Sequence, residues 1–119
     1  MLETFYSVIE KKFGQDSAAF SVHFNAQHPI FQGHFPTMPV VPGACLMQMA
    51  GELSVVALQR NIQIVGAKNI KFLQVNYPNK TESVTFDLTW EKNDTGYEVK
   101  CSVVDAETRY AVMQLTLTD

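Results

Sequence analysis

Gln32-Gly33-His34-Phe35-Pro36-Thr37-Met38-Pro39-Val40-Val41-Pro42-Gly43 runs straight into Ala44-Cys45-Leu46-Met47-Gln48-Met49-Ala50, and this junction of a braced loop with an apolar segment decides how the rest of the chain is organised. Pro36, Pro39 and Pro42 fix φ at their own positions and push each preceding residue toward extended geometry, so the loop loses little entropy when it orders. His34 is held inside that loop. From Gly43 to about residue 60, Leu46, Met47, Met49, Leu53, Val55, Val56 and Leu58 leave hardly any polar side, the pattern of a buried helix. Pro42-Gly43 predicts its start, where the first backbone N–H groups have no partner within the helix and the dipole end is positive.

Working outward, Phe20, Val22 and Phe24 alternate with Ser21, His23 and Asn25, which predicts a half-buried strand before the loop. Leu2, Phe5, Tyr6, Ile9 and Phe13 recur at helical spacing ahead of Gly14, which predicts an amphipathic helix over residues 2 to 13. The second half reads as β structure. Residues 63 to 77 carry Val65, Ile70, Phe72, Leu73, Val75 and Tyr77, with a turn at Pro78-Asn79-Lys80. Val84, Phe86, Leu88 and Trp90 alternate with polar residues up to a turn at Asn93-Asp94-Thr95-Gly96. Tyr97, Val99, Cys101 and Val103, then Ala111, Met113, Leu115 and Leu117, give two more strands. The expectation is an α+β domain spanning 1–119, an antiparallel sheet wrapped around one long helix that it covers only in part, which leaves room for a partner chain.

Composition narrows the function. A chain of 119 residues is most simply one domain, and its 46% hydrophobic and 18% charged residues are those of an ordinary globular protein. A net charge of −3 argues against general nucleic-acid binding, which needs a basic surface. The N-terminus lacks the basic flank and apolar run of a signal peptide, and no apolar run is long enough to cross a bilayer, so a cytoplasmic location is expected. Cys45 and Cys101 lie in apolar runs without CxxC spacing and read as buried free thiols. His23, His28 and His34 offer no close pair at ligand spacing, so no metal site is expected. Met38, Met47 and Met49 read as core packing.

Phe31-Gln32-Gly33-His34-Phe35-Pro36, then Pro39, then Pro42-Gly43 and the apolar helix resemble the active-site signature of the hot dog fold 3-hydroxyacyl-acyl-carrier-protein dehydratases of fatty acid synthesis. The resemblance covers roughly residues 18 to 58 and extends weakly through Lys71-Phe72 to Tyr77-Pro78, while the first fifteen or so residues look unlike that family. It implies a dimer made by joining two sheets edge to edge, or a higher oligomer of dimers, with an acyl tunnel at the interface. It also implies an acyl thioester substrate on the phosphopantetheine of an acyl carrier protein, no further cofactor, and a substrate site shaped by Phe31, Gly33, Phe35, Pro42 and Met47. Thr37 stands where the family usually has Gly.

Dehydration needs a base for the C2 proton, a donor to the thioester oxygen, and an acid for the departing hydroxyl. His34 suits the first role, since an imidazole titrates near neutral pH and general-base catalysis contributes about 10²–10⁴ in rate. The Gly43 N–H suits the second, because helix N-terminal donors stabilise an oxyanion and Gly permits close approach. For the third, the resemblance implies an acidic residue of the other protomer at the position held here by Gln48, and an amide releases no proton. Glu52 lies one turn further along the same helix face and is the candidate replacement. Three readings follow: a lyase acting on 3-hydroxyacyl thioesters of fatty acid or specialised polyene biosynthesis, a hot dog thioesterase, and a catalytically impaired acyl-binding partner subunit. The His-Phe-Pro signature favours the first over the second, and Gln48 supports the third.

Overall fold

The computed structural model describes residues 4–33, 38–79 and 83–118. Among them, six strands form one antiparallel sheet: β1 (Tyr6–Gly14), β2 (Ser17–Phe24), β3 (Gln63–Phe72), β4 (Val84–Lys92), β5 (Gly96–Val104) and β6 (Arg109–Thr118), in the order β1-β2-β4-β5-β6-β3. The helix α1 (Gly43–Leu58) follows β2 after a single 3-10 turn at Pro29–Gln32. Period-2 alternation sends Phe20, Val22 and Phe24 of β2 to the same buried face as Phe86 and Leu88 of β4, Val99 and Val103 of β5, and Leu115 and Leu117 of β6. Leu46, Met49, Ala50 and Leu53 of α1 join this core. Truncating a buried Phe such as Phe20 to Ala costs about 3–5 kcal/mol in a core of this kind.

The N-terminal segment is a strand, not the amphipathic helix expected over residues 2 to 13. A β-bulge between Val8 and Glu10 explains the misleading spacing. Tyr6 and Val8 lie opposite Phe24 and Val22, whereas beyond the bulge Lys11 and Phe13 lie opposite Phe20 and Ala18. One inserted residue therefore puts Tyr6 and Phe13 on the same face of a strand, a separation that an unbroken strand forbids and a helix favours. Phe13 remains largely exposed, its ring edge-on to Phe20 at 5.8 Å.

The expected sheet over residues 84 to 117 and the helix from Gly43 are present. Asn93 shapes the β4–β5 turn by accepting from the N–H groups of Thr95 and Gly96 at 3.0 and 2.9 Å. α1 is not covered all round: Ala44, Gln48, Val55 and Val56 are exposed along one side. β3 ends the sheet and is exposed along most of its length. The helix approaches that strand closely at two glycines. A Cβ on Gly51 would sit 2.7 Å from Ile64 Cδ1, and one on Gly43 would sit 2.7 Å from the Phe72 ring. Cys101 is a buried free thiol, as expected, while Cys45 is only half-buried.

Candidate active site

The site is assembled where the loop meets α1. His34 and Phe35 lie outside the described residues, so the site is built from what flanks them. On the near side, His28 caps the 3-10 turn by accepting from the Ile30 N–H through Nδ1 at 3.1 Å, and packs edge-on to Phe5. Phe31 is 2% exposed and stacks on Phe5 with ring centroids 5.1 Å apart. Phe31, expected to shape the substrate site, thus anchors the loop in the core. Gly33 ends the turn, exposed, and a Cβ placed on it would meet nothing within 4 Å among the described residues beyond its chain neighbours.

On the far side, Pro42 is the N-cap of α1, and its carbonyl accepts from Cys45 at 3.0 Å and Leu46 at 3.2 Å. The amides of Gly43 and Ala44 therefore precede the first acceptor that the helix supplies. Val41 N–H donates to the Asn76 carbonyl at 2.9 Å, tying the end of the loop to the segment after β3. Between these pieces lies a hollow of about 470 Å³, lined by Val40, Val41, Gly43, Phe72 and Val75 among others. It is largely apolar and opens at the positive end of the helix dipole, a setting that favours a group acquiring negative charge.

One turn into α1, Gln48 Nε2 donates to Glu52 Oε2 at 3.1 Å, and the Tyr6 hydroxyl donates to Glu52 Oε1 at 2.9 Å. Both carboxylate oxygens thus accept from neutral donors. Burial first, then the hydrogen bond and negative charge of Glu52, push the Tyr6 phenol far above its ordinary value, so it stays a donor. The sequence places Tyr6 on an expected helix and carries no sign of its contact with Glu52, because the bulge after Val8 masks the strand period of β1. The Gln48 and Glu52 spacing on one helix face was visible. Met47 is half-buried against the core. Among the described residues no group of three or more His, Cys, Asp or Glu side chains is placed to hold a metal ion, and no helix is long and apolar enough to cross a membrane.

The sheet, its strand order and the helix against it define a hot dog fold. The chain superimposes with a TM-score of 0.78 on the dehydratase heterocomplex ApeI:P from Xenorhabdus doucetiae, at 15% identity over 95% of this chain and 97% of that one. The TT0310 protein of Thermus thermophilus gives 0.68 at 12% identity, over 98% and 94% of the two chains. The protein belongs to the ApeI-like family, ApeI dehydratase, whose model matches residues 10–112. Its relatives include an uncharacterized thioester dehydrase of Halalkalibacterium halodurans, 26% identical over 89% of this chain and 64% of that protein. A 3-hydroxyacyl-[acyl-carrier-protein] dehydratase FabZ of Latilactobacillus sakei is 32% identical over 66% of this chain. The alignment spans 61% of that enzyme, so the chain matches less than two thirds of the length of either relative.

Proposed function

We propose that this chain removes water from 3-hydroxyacyl thioesters carried on the phosphopantetheine arm of an acyl carrier protein, giving trans-2-enoyl thioesters. The observation that carries the proposal is the start of α1: amides without a helical acceptor open onto an apolar hollow, in a member of a dehydratase family. A thioester oxygen set against Gly43 N–H is stabilised as it gains charge, and losing such a donor typically costs about 3–4 kcal/mol. His34 takes the C2 proton, the C2–H electron pair becomes the C2=C3 bond, and the C3–O bond breaks. The hydroxyl leaves as water on receiving a proton, a role we assign to Glu52. Tyr6 and Gln48 donate to the two oxygens of Glu52 and hold its carboxyl group in place for that transfer.

The same reading makes the working unit a pair of chains. Among the described residues the edge strand β3 has no neighbour on its outer side, and Val65, Phe72, Leu73 and Val75 on and just after it are exposed. Unpaired backbone beside exposed apolar side chains is a template for a second sheet.

A second reading is favoured by Gln48. Its amide occupies the position where resemblance implies an acid, and ApeI:P is a heterocomplex, so this chain in turn would complete its site with a different subunit. Purified protein given a 3-hydroxyacyl pantetheine thioester decides between them. Enoyl absorbance that disappears with His34→Ala supports the proposal, and activity only after a second hot dog chain is added supports the paired reading. Release of free thiol in place of enoyl product overturns both in favour of a thioesterase.

A further inference from the structure

Two polar side chains lie in the core of the described residues: Ser54 is 1% exposed and Asn76 is 2% exposed. Ser54 is satisfied locally, its hydroxyl donating to the Ala50 carbonyl at 2.7 Å. Asn76 is not. Neither its Nδ2 nor its Oδ1 has a hydrogen-bond partner among the described residues. The Asn76 carbonyl accepts from Val41 N–H, so the residue is tied to the end of the loop while its carboxamide is left unmatched. A buried amide with neither donor nor acceptor satisfied weakens the folded state, and Leu or Val would fill the place without that cost. Such a group in a native core points to a use.

Its position supplies one. Asn76 borders the hollow of about 470 Å³ that Gly43 opens onto, together with Val40, Val41, Phe72, Gln74 and Val75, and the surface there is mainly apolar. We infer that the Asn76 carboxamide is a binding residue for the amide-bearing arm of a thioester seated in this hollow. The inference deepens the dehydratase reading and rests on it. A hydrocarbon tail has nothing to offer either atom of the carboxamide, and a thioester carbonyl accepts but never donates. The secondary amides of a pantetheine arm do both, so they match the donor at Nδ2 and the acceptor at Oδ1. Hydrogen bonds withheld from the protein itself are then made to the ligand, which discriminates against thioesters lacking the arm.

Asn76→Leu keeps the size of the side chain and removes its polarity. Titration of wild type and variant with an unreactive S-alkyl pantetheine thioether, followed by calorimetry, should show Kd raised about tenfold by the loss of this contact. Thermal unfolding of the same variant should move upward by a few degrees, because the unmatched amide is gone. In turnover, kcat/KM should fall for the pantetheine thioester and stay unchanged for the same acyl group on a plain alkyl thiol. Unchanged thioether affinity, or an equal loss with the alkyl thiol substrate, overturns the inference. Asn76→Ser replaces the Leu variant if that one does not accumulate as folded protein. The thioether titration needs no chemistry, so a chain that binds it through Asn76 yet forms no enoyl product would sink the dehydratase reading alone.

Discussion

The hydroxyl of Tyr6 donates to Oε1 of Glu52 at 2.9 Å, joining the first strand to the central helix across 46 positions of sequence. Gln48 holds the other oxygen from one turn away at 3.1 Å. A carboxylate gripped from both sides keeps one orientation, and an acid that must meet a leaving hydroxyl benefits from it. Tyr6→Phe removes one grip with little loss of volume. We expect kcat to fall about tenfold with KM nearly unchanged, and stability to fall by about 0.5–1.5 kcal/mol for the lost hydrogen bond. Because the phenol is raised far above its ordinary value, its own ionisation contributes nothing to the neutral-range pH profile of the wild type. A Tyr6→Phe enzyme with wild-type kcat would show that the contact only fastens β1 to the helix.

Glu52 and Gln48 make a separable pair. Glu52→Gln leaves a side chain of the same size that cannot release a proton, and if Glu52 supplies the acid the rate should fall by about 10²-fold or more. Gln48→Glu on that background restores a carboxyl group one turn nearer the helix start and should recover part of the loss. In the presence of an intact Glu52, the same substitution places two carboxyl groups within hydrogen-bond reach, and one of them then holds its proton at higher pH. Single-turnover rates across pH distinguish the cases. A Gln48→Glu enzyme that is faster than wild type, together with an unaffected Glu52→Gln enzyme, would show that the wild-type site runs without its acid.

Part of this arrangement is legible in the sequence alone. Gln48 and Glu52 are local neighbours on a helix, so their meeting follows from spacing. The helix start at Gly43 follows from Pro42 and the apolar run behind it. Tyr6 reaches Glu52 from β1, a strand whose bulge after Val8 switches the face of the later residues and so imitates a pattern of helical period. Asn76 gave no signal at all in the sequence, since its burial depends on α1, the preceding loop and β3 meeting in space. The exposed side of α1 was legible only as a shortage of sheet to cover it, and the exact residues, Ala44, Gln48, Val55 and Val56, are fixed by tertiary packing.

Alkaline stability offers a check on the core. Burial, and then the nearby charge of Asp87, push the Cys101 thiol up to about 12 from its ordinary value of 9.0. The unfolded chain ionises this thiol first as pH rises. Stabilisation from keeping it neutral is therefore complete below about pH 9 and is lost between there and pH 12, with a slope of up to about 1.4 kcal/mol per pH unit. Denaturant midpoints measured from pH 8 upward should fall in wild type. Cys101→Val, close in volume and without a proton to lose, should remove that part of the slope. An identical slope in the variant would mean that other groups, Tyr6 among them, carry the whole effect.

Val65 tests the pairing of chains. It is 60% exposed on β3, a strand with a partner on only one side, and it sits at a register shift between Ile64 and Gly66 where the ladder to β6 is interrupted. An uncovered apolar edge of this kind is kept from associating when a lysine is placed on it. Val65→Lys should therefore shift the protein toward single chains in light scattering, with enoyl formation falling in parallel if Gln48 and Glu52 work across the interface. The same charge at Phe13, on β1 at the opposite end of the sheet, should leave both measurements unchanged. Association that survives Val65→Lys and fails with Phe13→Lys would move the interface to the β1 edge, and with it the partner that faces the exposed side of α1.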